Sequence, residues 1–152
     1  MNNDFIKKGS ALIKKAAAAY LTTIDENGFP STRAMFNLRN SVQFPKLASF
    51  MSQFDNSLTS FFTTNTSSIK MRQIIKNPKV AVYYCDTVIY QGLMCQGNIE
   101  IENDKSVKHS IWHEEWKMYY PEGRDSEDYT ILRLQPFYAK SYFQLNQTDI
   151  HL

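Results

Sequence analysis

The sequence predicts a mainly β, α+β fold: a small antiparallel barrel of about six strands with flanking helices. Three observations carry this. Short segments rich in β-branched and aromatic residues recur along the whole chain of 152 residues. Mostly short turns join them, and helical patterns of modest length fall between. The composition, 43% hydrophobic and 14% aromatic, supplies a core and is not that of a disordered chain. No internal repeat, low-complexity tract or linker interrupts it, so residues 1–152 read as one domain.

Asn3 or Asp4 caps a first helix reaching about Ala19, with Phe5, Leu12, Ile13 and Ala16 on one side and lysines on the other. Tyr20–Ile24 reads as a strand, Asp25–Gly28 as a turn in which Asn-Gly supplies positive φ, and Ser31–Arg39, opened by Pro30, as the second arm of a hairpin. Residues 40–56 read as a loop and a short helix bearing Leu47, Phe50, Met51 and Phe54. Ser57–Thr64 is a third strand. Ser67–Lys76 is a helix ended by Asn77-Pro78. Val80–Cys85 and Leu93–Glu102 are further strands, and Gly97 inside the latter marks a bulge or a close backbone approach. Asp104 caps a helix predicted to reach about Tyr119, with Trp112 and Trp116 at i, i+4. Tyr129–Leu134 and Tyr138–Phe143 form a last strand pair, or one strand bent at Pro136.

Several function classes fall away. A net charge of +2 without a basic stripe does not point to nucleic acid. No apolar run approaches membrane-span length. Lys14-Lys15 interrupts the Ala-rich N-terminal stretch, which therefore reads as an amphipathic helix rather than a leader, and a cytoplasmic protein is expected. Cys85 and Cys95 lie in apolar strand patterns and read as reduced core thiols. His109 and His113 stand at i, i+4 but have no third ligand, so no metal site is expected. No Gly-x-Gly-x-x-Gly motif or P-loop is present, and no Ser-His-Asp set can be argued.

The stretch FFTTNTSSIKMRQIIKNP, from Phe61 to Pro78, does point to a ligand. It sets a run of hydroxyl and amide side chains between a strand and a helix. A helix N-terminus presents free N–H groups and partial positive charge, and so favours phosphate. Ser67 and Ser68 stand at the cap, and Lys70 in the first turn, where a cation is misplaced unless an anion joins it. A plain serine cap with an exposed lysine is the alternative. In PSTRAMFNLRN the strand period puts Arg33, Met35, Asn37 and Arg39 on one face and Thr32, Ala34, Phe36 and Leu38 on the other. An arginine beside the Ser/Lys helix start would suit bidentate phosphate recognition.

Together, FPSTRAMFNLRN, FFTTNTSSIKMRQIIKNPKVAVYYCD and GLMCQGNIEIENDKSVKHSIWHEEWKMYYPEGRDSEDYTILRLQPFYAKSY resemble the pyridoxamine 5'-phosphate oxidase-like superfamily, and within it the general stress protein 26 branch. The resemblance runs from about residue 10 to 143 and rests on the order and spacing of several motifs. It implies a six-stranded antiparallel split β-barrel with flanking helices that forms a homodimer and holds FMN at the interface. It places Arg33 on the FMN phosphate, Ala34 and Met35 along the isoalloxazine, and Thr63 and Thr64 against the flavin. The family's Ser-Arg-Lys helix start reads Ser68-Ile69-Lys70 here, so Ser68 and Lys70 match and the arginine is missing. Gln91 stands near the position of a glutamine that reaches the partner's flavin, and Trp116 is a candidate ring over the flavin.

The vitamin B6 oxidase itself is not expected. Leu38 occupies the position of the lysine that binds the substrate phosphate, and Arg133-Leu134-Gln135-Pro136 replaces the Arg-Leu-His stretch that holds the pyridoxal ring. Trp112, Trp116, Tyr119 and Tyr120 are candidates to line another substrate site or simply to pack. The expected function is an FMN-dependent oxidoreductase that uses a reduced nicotinamide and a small-molecule acceptor. The alternatives are a non-catalytic flavin-binding stress protein, or a binder of deazaflavin F420 or haem in the same barrel.

Overall fold

A computed structural model describes residues 2–152. The N-terminal helix α1, Asn2–Lys15, lays Phe5, Gly9, Ser10, Leu12 and Ile13 on the sheet. It stops four residues short of the expected end, because Ala19 is already the first, fully buried residue of strand β1, Ala19–Ile24. β1 pairs antiparallel with β2, Pro30–Met35, through the predicted turn. There Asp25 Oδ1 accepts from the N–H groups of Asn27 and Phe29, both at 2.9 Å, and Gly28 has φ 82°.

β2 ends at Met35, not at Arg39. The alternation of exposed and half-buried positions holds through Phe36, after which Asn37, Leu38, Arg39 and Asn40 are all buried. Polar anchoring overrides the strand pattern. Asn37 Nδ2 donates to the carbonyls of Ile13 and Ala16 at the end of α1, at 2.6 and 2.8 Å, and so pulls the chain off the sheet. Arg39 fastens the next segment, a 3-10/α/3-10 run that contains α2, Ala48–Met51.

Strands β3 (Ser60–Asn65), β4 (Lys79–Asp86), β5 (Gln91–Glu102), β6 (Tyr129–Leu134), β7 (Tyr138–Phe143) and β8 (Asn146–His151) complete one antiparallel sheet of eight strands among the described residues. Helix α3, Ile69–Lys76, follows β3, and helix α4, Lys105–Ile111, follows β5. The hydrogen-bonded order is β2-β1-β4-β5-β6-β3, with β7 on β5 and β8 on β7. Along one edge, β5 pairs with β7 over residues 92–96 and with β6 over 99–102. The β6–β7 corner crosses it between those stretches, at Gly97. A Cβ there would lie 3.1 Å from the Gln135 carbonyl and 3.2 Å from Pro136 Cα, so the glycine permits a close backbone approach. This changeover curls and splits the barrel. It also settles the alternative left by Pro136, since β6 and β7 are separate strands.

Two other expectations are corrected. The predicted helix from Lys105 to Tyr119 breaks at Trp112, which adopts an extended backbone, and resumes as a 3-10 turn over Glu114–Met118 with His113 Nδ1 accepting from the Glu115 N–H. β8 had no strand signal, because its residues are nearly all exposed and carry no apolar alternation. It pairs through a two-residue turn in which Gln144 and Leu145 adopt φ 49° and 66°, a conformation usually announced by Asn-Gly.

One apolar cluster lies between α1 and the sheet, around Ile13, Leu21, Phe62, Val82, Leu93 and Leu132. A second joins Leu38, Met51, Phe61, Ile111, Trp116, Tyr120 and Tyr129. Among the described residues, no helix is long and apolar enough to cross a membrane.

Candidate functional site

The ends of β2 and β3 and the start of α3 meet at an open cleft of about 360 Å3. Ala34, Met35 and Phe36 form one wall, Thr63, Thr64 and Asn65 another, and Ala17, Ala18, Lys70, Tyr119 and Tyr120 close the ends. Its size falls near the lower end for small-molecule sites, roughly 300–1,000 Å3. Apart from Lys70, its lining is neutral. A larger groove of about 700 Å3 lies between α1 and the β7–β8 hairpin, but Asp4 and Lys8 there already neutralise each other at 2.9 Å.

Among the described residues, the start of α3 leaves several polar donors free. Ser68 caps the helix with an extended backbone, yet its hydroxyl bonds no helix amide; Oγ lies 3.3 Å from Thr64 Oγ1 instead. The N–H of Ser67 donates to Asp128 Oδ1 at 2.9 Å, and Asn65 Nδ2 donates to Asp128 Oδ2 at 2.6 Å. The Asp128 carboxylate therefore fixes the turn before the helix. Ser68 N–H donates to the Asn65 carbonyl and Met71 N–H to the Ser68 carbonyl. The N–H groups of Ile69 and Lys70 have no acceptor among the described residues, which leaves two helix donors open.

Lys70 Nζ donates to Thr64 Oγ1 at 3.1 Å. Burial holds its ammonium below the ordinary lysine value, and the positive charge of Arg33 lowers it further. Arg33 is likewise lowered by burial. No ion pair among the described residues includes either cation. All of the recorded partners of Arg33 are neutral. Nη1 donates to Thr23 Oγ1 at 2.7 Å and to the Leu21 carbonyl at 3.3 Å; Nη2 donates to Ser31 Oγ at 3.2 Å and to Gln73 Oε1 at 3.3 Å. Two half-buried cations, one lowering the other, thus stand near helix N–H groups that have no acceptor among the described residues.

Of the residues singled out in the sequence, Ala34, Met35, Thr63, Thr64 and Lys70 line the cleft together. Ser68 stands at its edge beside Thr64, whereas Arg33 does not line it: it sits on the opposite face of β2 from Ala34 and reaches α3 through Gln73. Trp116 sits elsewhere. It is 4% exposed, and its ring lies parallel to that of Phe36 at 6.5 Å within the second apolar cluster. Phe36 and Tyr119, at 46% and 45%, are the rings exposed at the cleft. Ala17, Ala18, Phe36 and Asn65 were not foreseen. Adjacency to Met35 and Thr64 was the available signal for Phe36 and Asn65; the two alanines carried none. Tyr120 is buried, which pushes its phenol up to about 12, with a hydrogen bond to Thr63 opposing the shift.

The family model for pyridoxamine 5'-phosphate oxidase matches residues 5–142. The chain belongs to this family. Among solved structures, it resembles a Clostridium acetobutylicum protein related to general stress protein 26 of B. subtilis, of the pyridoxinephosphate oxidase family. The TM-score is 0.77 at 27% identity, covering 100% of this chain and 97% of the other. General stress protein 26 from Bacillus anthracis matches with a TM-score of 0.70 at 16% identity, covering 96% and 98%. A heme binding protein from Mycobacterium smegmatis shares the fold, with a TM-score of 0.65 at 9% identity over 96% of this chain and 57% of its own. No curated protein matches the chain. Within its family the chain falls in the general stress protein 26-like branch. Flavin binding is typical of the family.

Proposed function

We propose that this protein is an FMN-binding flavoprotein that works as an oxidoreductase, taking reducing equivalents from a reduced nicotinamide and passing them to a small-molecule acceptor. The observation that carries the reading is the pairing of Arg33 and Lys70, without a carboxylate partner, beside the open N–H groups of Ile69 and Lys70. This cup suits the terminal phosphate of FMN, with Ser68 and Thr64 as further donors. The neutral cleft running from it along Ala34, Met35, Thr63 and Thr64 suits the flat ring system. Bound FMN would supply the hydride and electron chemistry; the protein binds it, orients it and limits access. Phe36 and Tyr119 form the apolar lip through which an acceptor would approach. No side chain in the cleft is assigned as a general acid.

The cleft is open on one side, and a second copy of the chain is proposed to close it. Support comes from the outer sheet face, where cross-strand register aligns Ala34, Tyr20, Tyr83 and Met94 in one row. Tyr20 and Tyr83 are 39% and 45% exposed there, more aromatic surface than a solvent-facing sheet needs.

The test is a visible absorption spectrum of purified protein, with and without added FMN, for wild type and the Arg33→Ala/Lys70→Ala double variant. Flavin bands that co-purify or titrate stoichiometrically, and that weaken in the variant, are the expected result. Absence of binding at micromolar FMN would overturn the assignment. Steady-state oxidation of reduced nicotinamide by FMN-loaded protein then separates an enzyme from a non-catalytic flavin carrier.

A further inference from the structure

We propose that Gln73 is the positioning residue of the phosphate cup: it ties Arg33 to the helix that carries Lys70 while leaving the charge of both cations uncompensated. The inference rests on the FMN reading for its ligand, but its geometry is independent of it. Arg33, Thr23 and Gln73 close a ring of three hydrogen bonds. Arg33 Nη1 donates to Thr23 Oγ1 at 2.7 Å, Thr23 Oγ1 donates to Gln73 Oε1 at 2.6 Å, and Arg33 Nη2 donates to the same Oε1 at 3.3 Å. Thr23 is fully buried, so its hydroxyl has no water to turn to. It accepts from the guanidinium and donates onward; of its two possible acceptors, Gln73 Oε1 at 2.6 Å is far shorter than the Ser31 carbonyl at 3.5 Å, so the atom facing it on Gln73 must be an acceptor. That requirement assigns the Gln73 amide oxygen to the ring.

The other recorded acceptors of Arg33, on Leu21, Thr23 and Ser31, all belong to the β1–β2 hairpin. Gln73 alone among them stands on α3, one helical turn after Lys70. It is therefore the direct tie between the arginine's strand and the lysine's helix. A half-buried guanidinium is ordinarily met by a carboxylate. Glutamate at position 73 would offer the same oxygen at the same place, and the ring would still close. It would also place a negative charge beside the cup and repel the incoming phosphate. An amide at this position thus serves geometry and charge at once, which makes Gln73→Glu a test of charge with the hydrogen bonds held.

The experiment titrates FMN and riboflavin, which lacks the phosphate, into wild type, Gln73→Glu and Gln73→Met. It also records the rise in melting temperature given by inorganic phosphate. Gln73→Glu is expected to weaken FMN by at least about tenfold while riboflavin stays within about twofold; Gln73→Met, which loses the acceptor but adds no charge, weakens FMN by less. Phosphate protection is expected to fall in the same order. Riboflavin and FMN falling in parallel, or an unchanged FMN-to-riboflavin ratio in Gln73→Glu, would overturn the proposal and leave the FMN reading standing. If wild type binds no FMN, that reading fails and phosphate protection decides. Protection that falls in Gln73→Met, which loses the acceptor, and falls further in Gln73→Glu upholds the positioning role; protection unchanged in Gln73→Met, or absent from wild type, overturns it.

Discussion

Arg39→Met tests whether a buried cation with neutral partners holds this fold together. Arg39 is 3% exposed. Its Nη1 donates to the carbonyls of Ser57 and Thr59 at 2.8 and 3.1 Å, and Nη2 to Ser10 Oγ and the Phe54 carbonyl at 2.6 and 2.8 Å. It thereby joins α1, the segment after α2 and the lead into β3, three residues beyond the cleft wall at Phe36. The bonds to Thr59 and Ser10 are fully buried, while those to Ser57 and Phe54 are reached by water once the arginine is gone. Two buried charge-assisted bonds at roughly 1.5–3 kcal/mol each give about 3–6 kcal/mol. Arg39 Nε is buried without a partner, and removing it returns roughly 1–3 kcal/mol. Methionine fills the volume of the side chain, so no large cavity term is added. Taken at the middle of each range, about 4.5 less about 2, the net expectation is a loss of about 2.5 kcal/mol, a large part of an ordinary domain stability of about 5–15 kcal/mol. Urea unfolding followed by the fluorescence of Trp112 and Trp116 reads it directly. A loss under about 1 kcal/mol would refute the reasoning, because desolvation of the guanidinium would then cancel its bonds.

Alkaline pH should destabilise the fold through its buried acids. Burial pushes the Cys95 thiol from 9.0 up to about 12 and the Tyr120 phenol from 10.0 up to about 12, and it raises Tyr84 and Tyr129 as well. Each group holds its proton more tightly in the folded chain. The stability present below the unfolded values of 9.0 and 10.0 is therefore lost as pH climbs toward about 12. The melting temperature should fall across this window, and by less in Cys95→Val; a flat profile would contradict the burial argument. Separately, Trp116→Ala should cost about 3–5 kcal/mol in urea unfolding, because the indole is core, whereas Phe36→Ala should cost about 1–2 kcal/mol and weaken FMN, because Phe36 is half-exposed but packed on Trp116, Phe44 and Tyr119. The reverse pairing of effects would place Trp116, not Phe36, at the ligand.

Much of the fold was legible because local chemistry and tertiary need agree. Asp25–Gly28 is a turn by its own side chain and φ, α3 runs from its serine cap to Asn77-Pro78, and Gly97 marks a close backbone approach, one of its two expected readings. Failures came where distant partners decide. Nothing local in Asn37 or Arg39 says that their side chains reach α1, so the strand period ran four residues too far. The Trp112–Trp116 spacing reads as one helix face, but both indoles pack around Tyr129, at 5.1 and 6.5 Å, with the chain broken between them. The proposed cup was suggested by Ser68 and Lys70 because a lysine in a first helical turn contradicts the dipole. The role of Gln73 was not, because it depends on which strand lies beneath the helix.

Ile69 carries the balance of the site one step further. The resemblance puts an arginine there, and the isoleucine is 64% exposed with no charge to offer an anion. Its backbone N–H stays open at the helix start, so the substitution removes a side-chain contact and keeps a main-chain one. A third cation beside Arg33 and Lys70 would deepen a repulsion that already lowers Lys70. With two, the ligand-free protein carries less of that strain, and the anion gains less on entering. By linkage, a ligand that binds only the folded cup stabilises it by about 2.7 kcal/mol at a hundredfold excess over its Kd. Ile69→Arg should therefore tighten FMN and lower the melting temperature of the ligand-free protein together, the two effects sharing the electrostatic cause that leaves Arg33 and Lys70 without a carboxylate. A tighter FMN complex with no loss of ligand-free stability would mean that the new arginine points away from the cations, and that the cup is less crowded with charge than its geometry implies.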